Sequence, residues 1–175
     1  MINDFDSKIL KVTSSIKQGV IDHLEYIINN EKPDNPSLFA AGAAYVRLQN
    51  TFKAYILCLR TGLHFETLAM GRIIVEQLAS IYRIYNYDGN FFKVPPNKCI
   101  KNLKKLIPFA GRLYGLLSNK LHIEPESTLD YIKVGDHQLD IVLKDSRQTI
   151  QNAHLLLTIY DIFCIVGEYI YVDLI

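Results

Sequence analysis

The sequence predicts an all-α protein: an antiparallel helical bundle of four long helices, with short helices and a small hairpin or irregular excursion inserted before the last one. Three observations predict it. Apolar residues recur at three- and four-residue steps through four long stretches, the period of a helix laid on a core. Turn chemistry punctuates them at Asn30–Ser37 (NEKPDNPS), at Gly62, and at Asp88-Gly89-Asn90 followed by Pro95-Pro96. The composition, 49% hydrophobic and 21% charged, is that of a folded globular chain and not of a disordered one. With 175 residues and no repeats or low-complexity tracts, a single helical domain over 1–175 is expected. A chain of this size buries roughly 70% of its unfolded surface and needs no staple.

The first helix runs from about Asp4 to Asn30, with Ile9, Val12, Ile16, Val20, Leu24 and Ile27 or Ile28 in period. Asp4 or Asp6 caps its start. After the proline-containing turn, Ser37 caps a second helix that runs to about Thr61. Its first half, Ala40, Ala41, Gly42, Ala43 and Ala44, is thin enough for a neighbouring helix to approach closely. Gly62 stops it, and a third helix returns antiparallel.

That third stretch, Leu63–Tyr87, organises the rest. Leu68, Ile74, Val75, Leu78 and Ile81 mark an apolar face, yet Arg72 and Glu76 lie four apart on one side. His64 precedes Arg72 by two turns and Arg83 follows Glu76 by two. A lone buried charge costs several kcal/mol, so such a stripe must be paired or aimed at a site. Pairing is the plain reading: Arg72 and Glu76 bridge to Ser118, Tyr114 or His122 and fix the register of two helices. In the functional reading Arg72 is an anion clamp, oriented by Glu76 and placed beside His122.

Beyond Pro96, two shorter helices fit Lys98–Ile107 and Pro108–Leu121, Pro108 being suited to a first turn. Residues 123–127 loop. The weak alternation of Tyr131–Lys144 around Gly135-Asp136 fits a hairpin or an irregular excursion. Asp145 or Ser146 caps the last long helix. Its run Leu155–Ile175 contains Asp161, Glu168 and Asp173, each penalised by roughly 3 kcal/mol at a bilayer centre. It therefore reads as a core helix, and no membrane association is expected.

Function classes narrow by exclusion. Cys58, Cys99 and Cys164 are odd in number and lack metal-site spacing, so reduced, largely buried thiols in a cytoplasmic protein are expected. The N-terminus MINDFDSKIL has no basic region of the signal-peptide kind. No phosphate-cradling glycine loop, EF-hand loop or HExxH occurs, so no cofactor and no metal are expected. Net charge is +1, so any attraction for polyanions must be local.

One such locality exists. Between Gly89 and Ile123 there is no acidic residue, while Lys93, Lys98, Lys101, Lys104, Lys105, Arg112 and Lys120 fall within it. Lys98, Lys101, Lys104 and Lys105 share a helix face, which is the footprint of an anion- or RNA-binding surface. A solvated face of ordinary lysines fits the same pattern. Phe91, Phe92, Phe109 and Tyr114 are interspersed, to stack on bases or to fill core. Further on, Ser118 and His122 lie four apart at a helix end, with Asn119 adjacent. His122 there is a general base near neutral pH or a donor that holds the following loop. Ser118 lacks the elbow motif of a serine nucleophile.

The segments Gly71-Arg72-Ile73-Ile74-Val75-Glu76 and Tyr114-Gly115-Leu116-Leu117-Ser118-Asn119-Lys120-Leu121-His122 resemble HEPN-like helical proteins of bacteria, over roughly residues 36–172. The resemblance implies a helical bundle, a homodimer, and kinship with metal-independent ribonucleases of toxin–antitoxin and phage-defence systems. It implies His122, Arg72, Glu76 and Ser118 as the catalytic candidates. In active members an arginine precedes the histidine on the same helix. Here that place is Leu117 or Leu116, and the nearest upstream arginine, Arg112, is ten residues away. Arg72, from the neighbouring helix, is the candidate replacement.

The leading expectation is thus a HEPN-like protein binding RNA or another anionic ligand through Lys98, Lys101, Lys104, Lys105, Arg112 and Lys120. The alternative is a non-catalytic module that docks a protein partner through Ala40–Ala44 and through Tyr160, Phe163, Tyr169 and Tyr171 of the last helix. A third is a small-molecule sensor with a pocket inside the bundle.

Overall fold

The computed structural model describes residues 4–29, 36–86, 96–121, 132–134, 139–141 and 146–172. The periodic stretches form α1 (Asp4–Asn29), α2 (Pro36–Thr61), α3 (His64–Tyr85), α4 (Pro96–Leu106), α5 (Ala110–Leu121) and α6 (Ser146–Val172). Between α5 and α6 lie two three-residue strands, β1 (Ile132–Val134) and β2 (Leu139–Ile141). They pair antiparallel with Ile132 opposite Ile141 and Val134 opposite Leu139. The hairpin reading of Tyr131–Lys144 is therefore the one adopted.

Gly62 ends α2 as expected, at φ 79°, where a side chain would be strained. The Leu63 amide donates to the Cys58 carbonyl (2.9 Å) and the Gly62 amide to that of Leu59 (3.3 Å), the paired bonds of a Schellman stop. The turn folds α3 back along α2. Pro108 and Phe109 form a turn between α4 and α5, so α5 begins two residues later than the sequence predicts.

The core follows the heptad-like spacing of α2 and α6. Ala41, Tyr45, Leu48, Phe52, Tyr55 and Leu59 line one side, and Leu156, Ile159, Phe163, Val166 and Ile170 the other. Two tyrosine hydroxyls are buried with partners: Tyr45 donates to the Phe163 carbonyl (2.6 Å) and Tyr55 to that of Asn152 (2.8 Å). Both bond across to α6 and so escape the cost of an unpaired buried hydroxyl.

Helix directions differ from strict alternation in one respect. α6 is antiparallel to α2, as those two bonds show, but it runs alongside α3 in the same direction. His64 meets Asn152 at one end, Gly71 approaches Ile159 midway, and Tyr85 meets Tyr169 at the other end. The cause is α5, which runs back down α3, so the chain enters α6 from the end at which α3 began.

Close approach also falls elsewhere than expected. A methyl group at Gly42 would meet nothing within 4 Å, so the thin stretch of α2 is not a crossing point there. The tight places between long helices are Gly19 on α1, against Tyr160, Gly71 on α3, against Tyr55 and Ile159, and Gly167 on α6, against His23 and Tyr45. α3 is the hub, packing on α2, α4, α5 and α6, while α1 packs on α2 and α6.

Candidate functional site

Two polar sites lie along one side of α3, where α4 and α5 cover it. The first is built from Arg72 and Glu76, one turn apart, and Tyr114 of α5. Arg72 Nε donates to Glu76 Oε1 (3.2 Å) and Arg72 Nη2 to the Tyr114 hydroxyl (3.1 Å). The Tyr114 hydroxyl in turn donates to Glu76 Oε1 (2.7 Å), and the guanidinium carbon sits 5.4 Å from the centre of the Tyr114 ring. These three close a ring of charge-assisted hydrogen bonds. The bond to Tyr114, with Glu76 adding to it, holds the Arg72 guanidinium even more firmly protonated than usual.

The sequence placed this pair in the bundle core. Instead the Arg72 and Glu76 side chains are 35% and 31% exposed, at the rim where α5 meets α3. Among the described residues, Tyr114 is the partner that bridges. Ser118 lies one turn further along α5, its Oγ buried and without a hydrogen-bond partner among the described residues. His122 lies outside the described residues. His64 does not share this face: it is buried on the α6 side, with Nδ1 3.5 Å from the Asn152 amide.

The second site lies at the other end of the stripe. Arg83 and Asn86 at the end of α3 face Asn102 and Lys105 of α4 across a cavity of about 190 Å³, with Tyr82 completing the wall. α4 buries Cys99, Ile100 and Leu103 against α3, which turns Lys98, Lys101, Lys104 and Lys105 outward. Among the described residues none of those four lysines is held by a carboxylate. Lys104 leans away from the cavity, its stem lying over Gly111. Arg112 and Lys120 are exposed on α5.

The floor of this cavity is fixed from α6. The Tyr169 hydroxyl donates to the Asn86 side-chain oxygen (3.1 Å), and its ring packs edge-on against Tyr82 and Tyr85. Burial, with Tyr169 beside it, pushes the Tyr82 hydroxyl above its ordinary pKa, so it stays protonated. Asn86 also donates to the Tyr82 carbonyl (2.8 Å) and Asn102 to that of Lys98 (3.1 Å), so both amides are held in place. Sequence reasoning placed Lys105 on the basic face and Arg83 on the stripe. It missed Tyr82, Asn86 and Asn102, which belong to no motif and meet only through the crossing of α4 over α3, and it named Tyr169 only as a docking residue of the last helix.

Two aromatic residues of α6 pack into the bundle. Phe163 is fully buried and stacks on Tyr45 at 4.5 Å, and Tyr160 packs on Phe163. Tyr169 is engaged with Asn86, and the Tyr171 side chain lies outside the described residues. Of the four, Phe163 is too deeply buried to serve the outward docking surface of the alternative reading. Cys99 is buried, while Cys58 and Cys164 are partly exposed. Burial raises the pKa of both of these thiols, with nearby carboxylates adding to it, so they are protonated at neutral pH.

No family model, no curated protein and no solved structure matches the chain.

Proposed function

We propose that this protein binds an anionic ligand, RNA foremost, at the cavity between α3 and α4 and across the lysine face beside it. The observation that carries the reading is the facing of Arg83 and Lys105 across a 190 Å³ cavity rimmed by amides and a tyrosine. Guanidinium and ammonium groups suit phosphate oxygens, and Arg offers a fork where Lys offers a point charge. Lys101 and Lys98 extend the positive face from Lys105 by one and two turns, enough for a backbone of more than one phosphate. The neighbouring tyrosines suit base stacking.

The Arg72–Glu76–Tyr114 ring is read as a fastener between α3 and α5. Two of the guanidinium's donors are already committed to Glu76 and Tyr114, which leaves Arg72 poorly placed as a clamp for a reacting phosphate. Binding is therefore favoured over ribonuclease chemistry. A bacterial defence or toxin–antitoxin setting is the form of this reading that the HEPN-like resemblance supplies.

The test is titration of the full chain with a fluorescent single-stranded RNA at several salt concentrations. The logarithm of the binding constant is expected to fall linearly with the logarithm of salt, by about 0.7 per phosphate contact. Absence of binding at low salt to both RNA and inorganic tripolyphosphate defeats the proposal.

A further inference from the structure

The inner face of α6 is spent on the bundle, yet its outer face also carries large apolar residues. Ile150, Leu157 and Ile165 are 40%, 41% and 37% exposed. Around them are exposed polar and charged residues of the helix: Arg147 and His154 in its first half, Asp161 and Glu168 in its second. The spacing is palindromic about the point between Leu157 and Thr158, with the basic groups on one side and the acidic groups on the other.

We propose that α6 pairs antiparallel with α6 of a second copy of this chain, about a twofold axis through that point. In this register Ile150 lies opposite the partner's Ile165. His154 lies opposite the partner's Asp161, and Arg147 opposite the partner's Glu168. Leu157 packs at the axis against the partner's Leu157. Symmetry makes each pair occur twice, so one stripe is its own complement, as a closed dimer requires. A parallel pairing would instead set Arg147 beside the partner's Arg147 and Glu168 beside the partner's Glu168.

The division of labour follows from the exposure of these groups. Apolar contact along a stripe of about 32 Å, at 1.5 Å per residue, drives association. The exposed charge pairs select orientation and register more than they add affinity. The window Arg147–Ile170 is also long and apolar enough to cross a bilayer. The charged residues alternating with the apolar ones on the outer face fit a protein partner of matching charge better than lipid chains.

Sedimentation velocity of the full chain over a concentration series tests the proposal. The wild type is expected to shift from monomer to dimer in the micromolar range. Leu157→Glu is expected to weaken dimerisation at least about tenfold by placing like charges at the axis. Arg147→Glu and Glu168→Arg are each expected to weaken it, and the double charge reversal to restore it. Circular dichroism checks that each variant folds. Rescue is specific to this register, since residues 147 and 168 of one chain are too far apart to meet. A monomer at every concentration overturns the proposal, as does a dimer indifferent to Leu157→Glu, or charge reversals that fail to rescue. Binding to phosphatidylcholine vesicles without self-association overturns it as well.

Discussion

The Tyr114 hydroxyl donates to Glu76 across 2.7 Å and so ties α5 to α3 at the rim of the bundle. Tyr114→Phe removes this bond and the one accepted from Arg72, while leaving the ring packed. Hydrogen bonds to charged groups contribute about 1.5–3 kcal/mol when well formed. Both charged side chains are about one-third exposed, so the loss is expected below that range, about 1 kcal/mol. Urea denaturation checks this: the midpoint falls with an unchanged slope. RNA affinity is expected to stay the same, because the cavity by Arg83 is a separate site.

Arg83→Ala and Lys105→Ala are each expected to weaken RNA binding and to reduce the salt slope by about 0.7, one phosphate contact apiece. Lys104→Ala is expected to weaken it less, since its stem lies over Gly111 and away from the cavity. Fluorescence anisotropy at three salt concentrations distinguishes these outcomes. Equal effects from all three variants would mean a diffuse basic surface with no focus at the cavity.

Three glycines respond differently to alanine, because helix propensity and crowding compete. Alanine is favoured over glycine in a helix by about 1 kcal/mol. At Gly42 the added methyl meets open space, so Gly42→Ala is expected to stabilise by up to that amount. At Gly71 it would come within 3.1 Å of Ile159 Cδ1 and of the Tyr55 ring. The isoleucine can yield, but the tyrosine is pinned by its bond to Asn152, so a net loss of about 1 kcal/mol is expected. At Gly167 the methyl would collide with Tyr45, whose hydroxyl is fixed on Phe163, and with His23. Gly167→Ala is expected to cost about 3 kcal/mol. Thermal unfolding of the three variants gives the order.

The helices and their stops were legible because they depend on local chemistry: apolar period, Gly62, and the prolines before α2 and α4. Direction was less so. That α6 runs alongside α3 follows from the return of the chain along α5, a non-local fact that no spacing records. His64 illustrates a limit of helical counting. Eight residues at 100° leave it about 80° round the helix from Arg72, enough to turn it from the α5 side into the core. Tyr114 stood among three conceivable bridges, and packing, not spacing, favours it over Ser118. The cavity was half legible, its cations visible as a basic face and its amides indistinguishable from ordinary helix-end residues.

His23 makes stability depend on pH. Burial holds its pKa below 6.5, with Glu168 opposing, so the folded protein disfavours the charged ring. Its Nε2 has no hydrogen-bond partner among the described residues, and it packs against Tyr45 and Phe163. The unfolded chain therefore binds the proton more readily. The contribution is complete above pH 6.5 and is lost as pH falls through the lowered folded value. Unfolding midpoints measured between pH 5 and 7.5 are expected to decline on the acid side, and His23→Gln is expected to flatten that decline.

The bond from Tyr169 to Asn86 spans 83 positions of sequence. A ribosome making this chain thus delivers the basic half of the cavity long before the residue that props its floor. Ligand capture should mature late in synthesis, after α2 and α3 have already paired. A nascent chain arrested short of Tyr169 would offer its lysines to polyanions without the finished cavity at which binding is proposed.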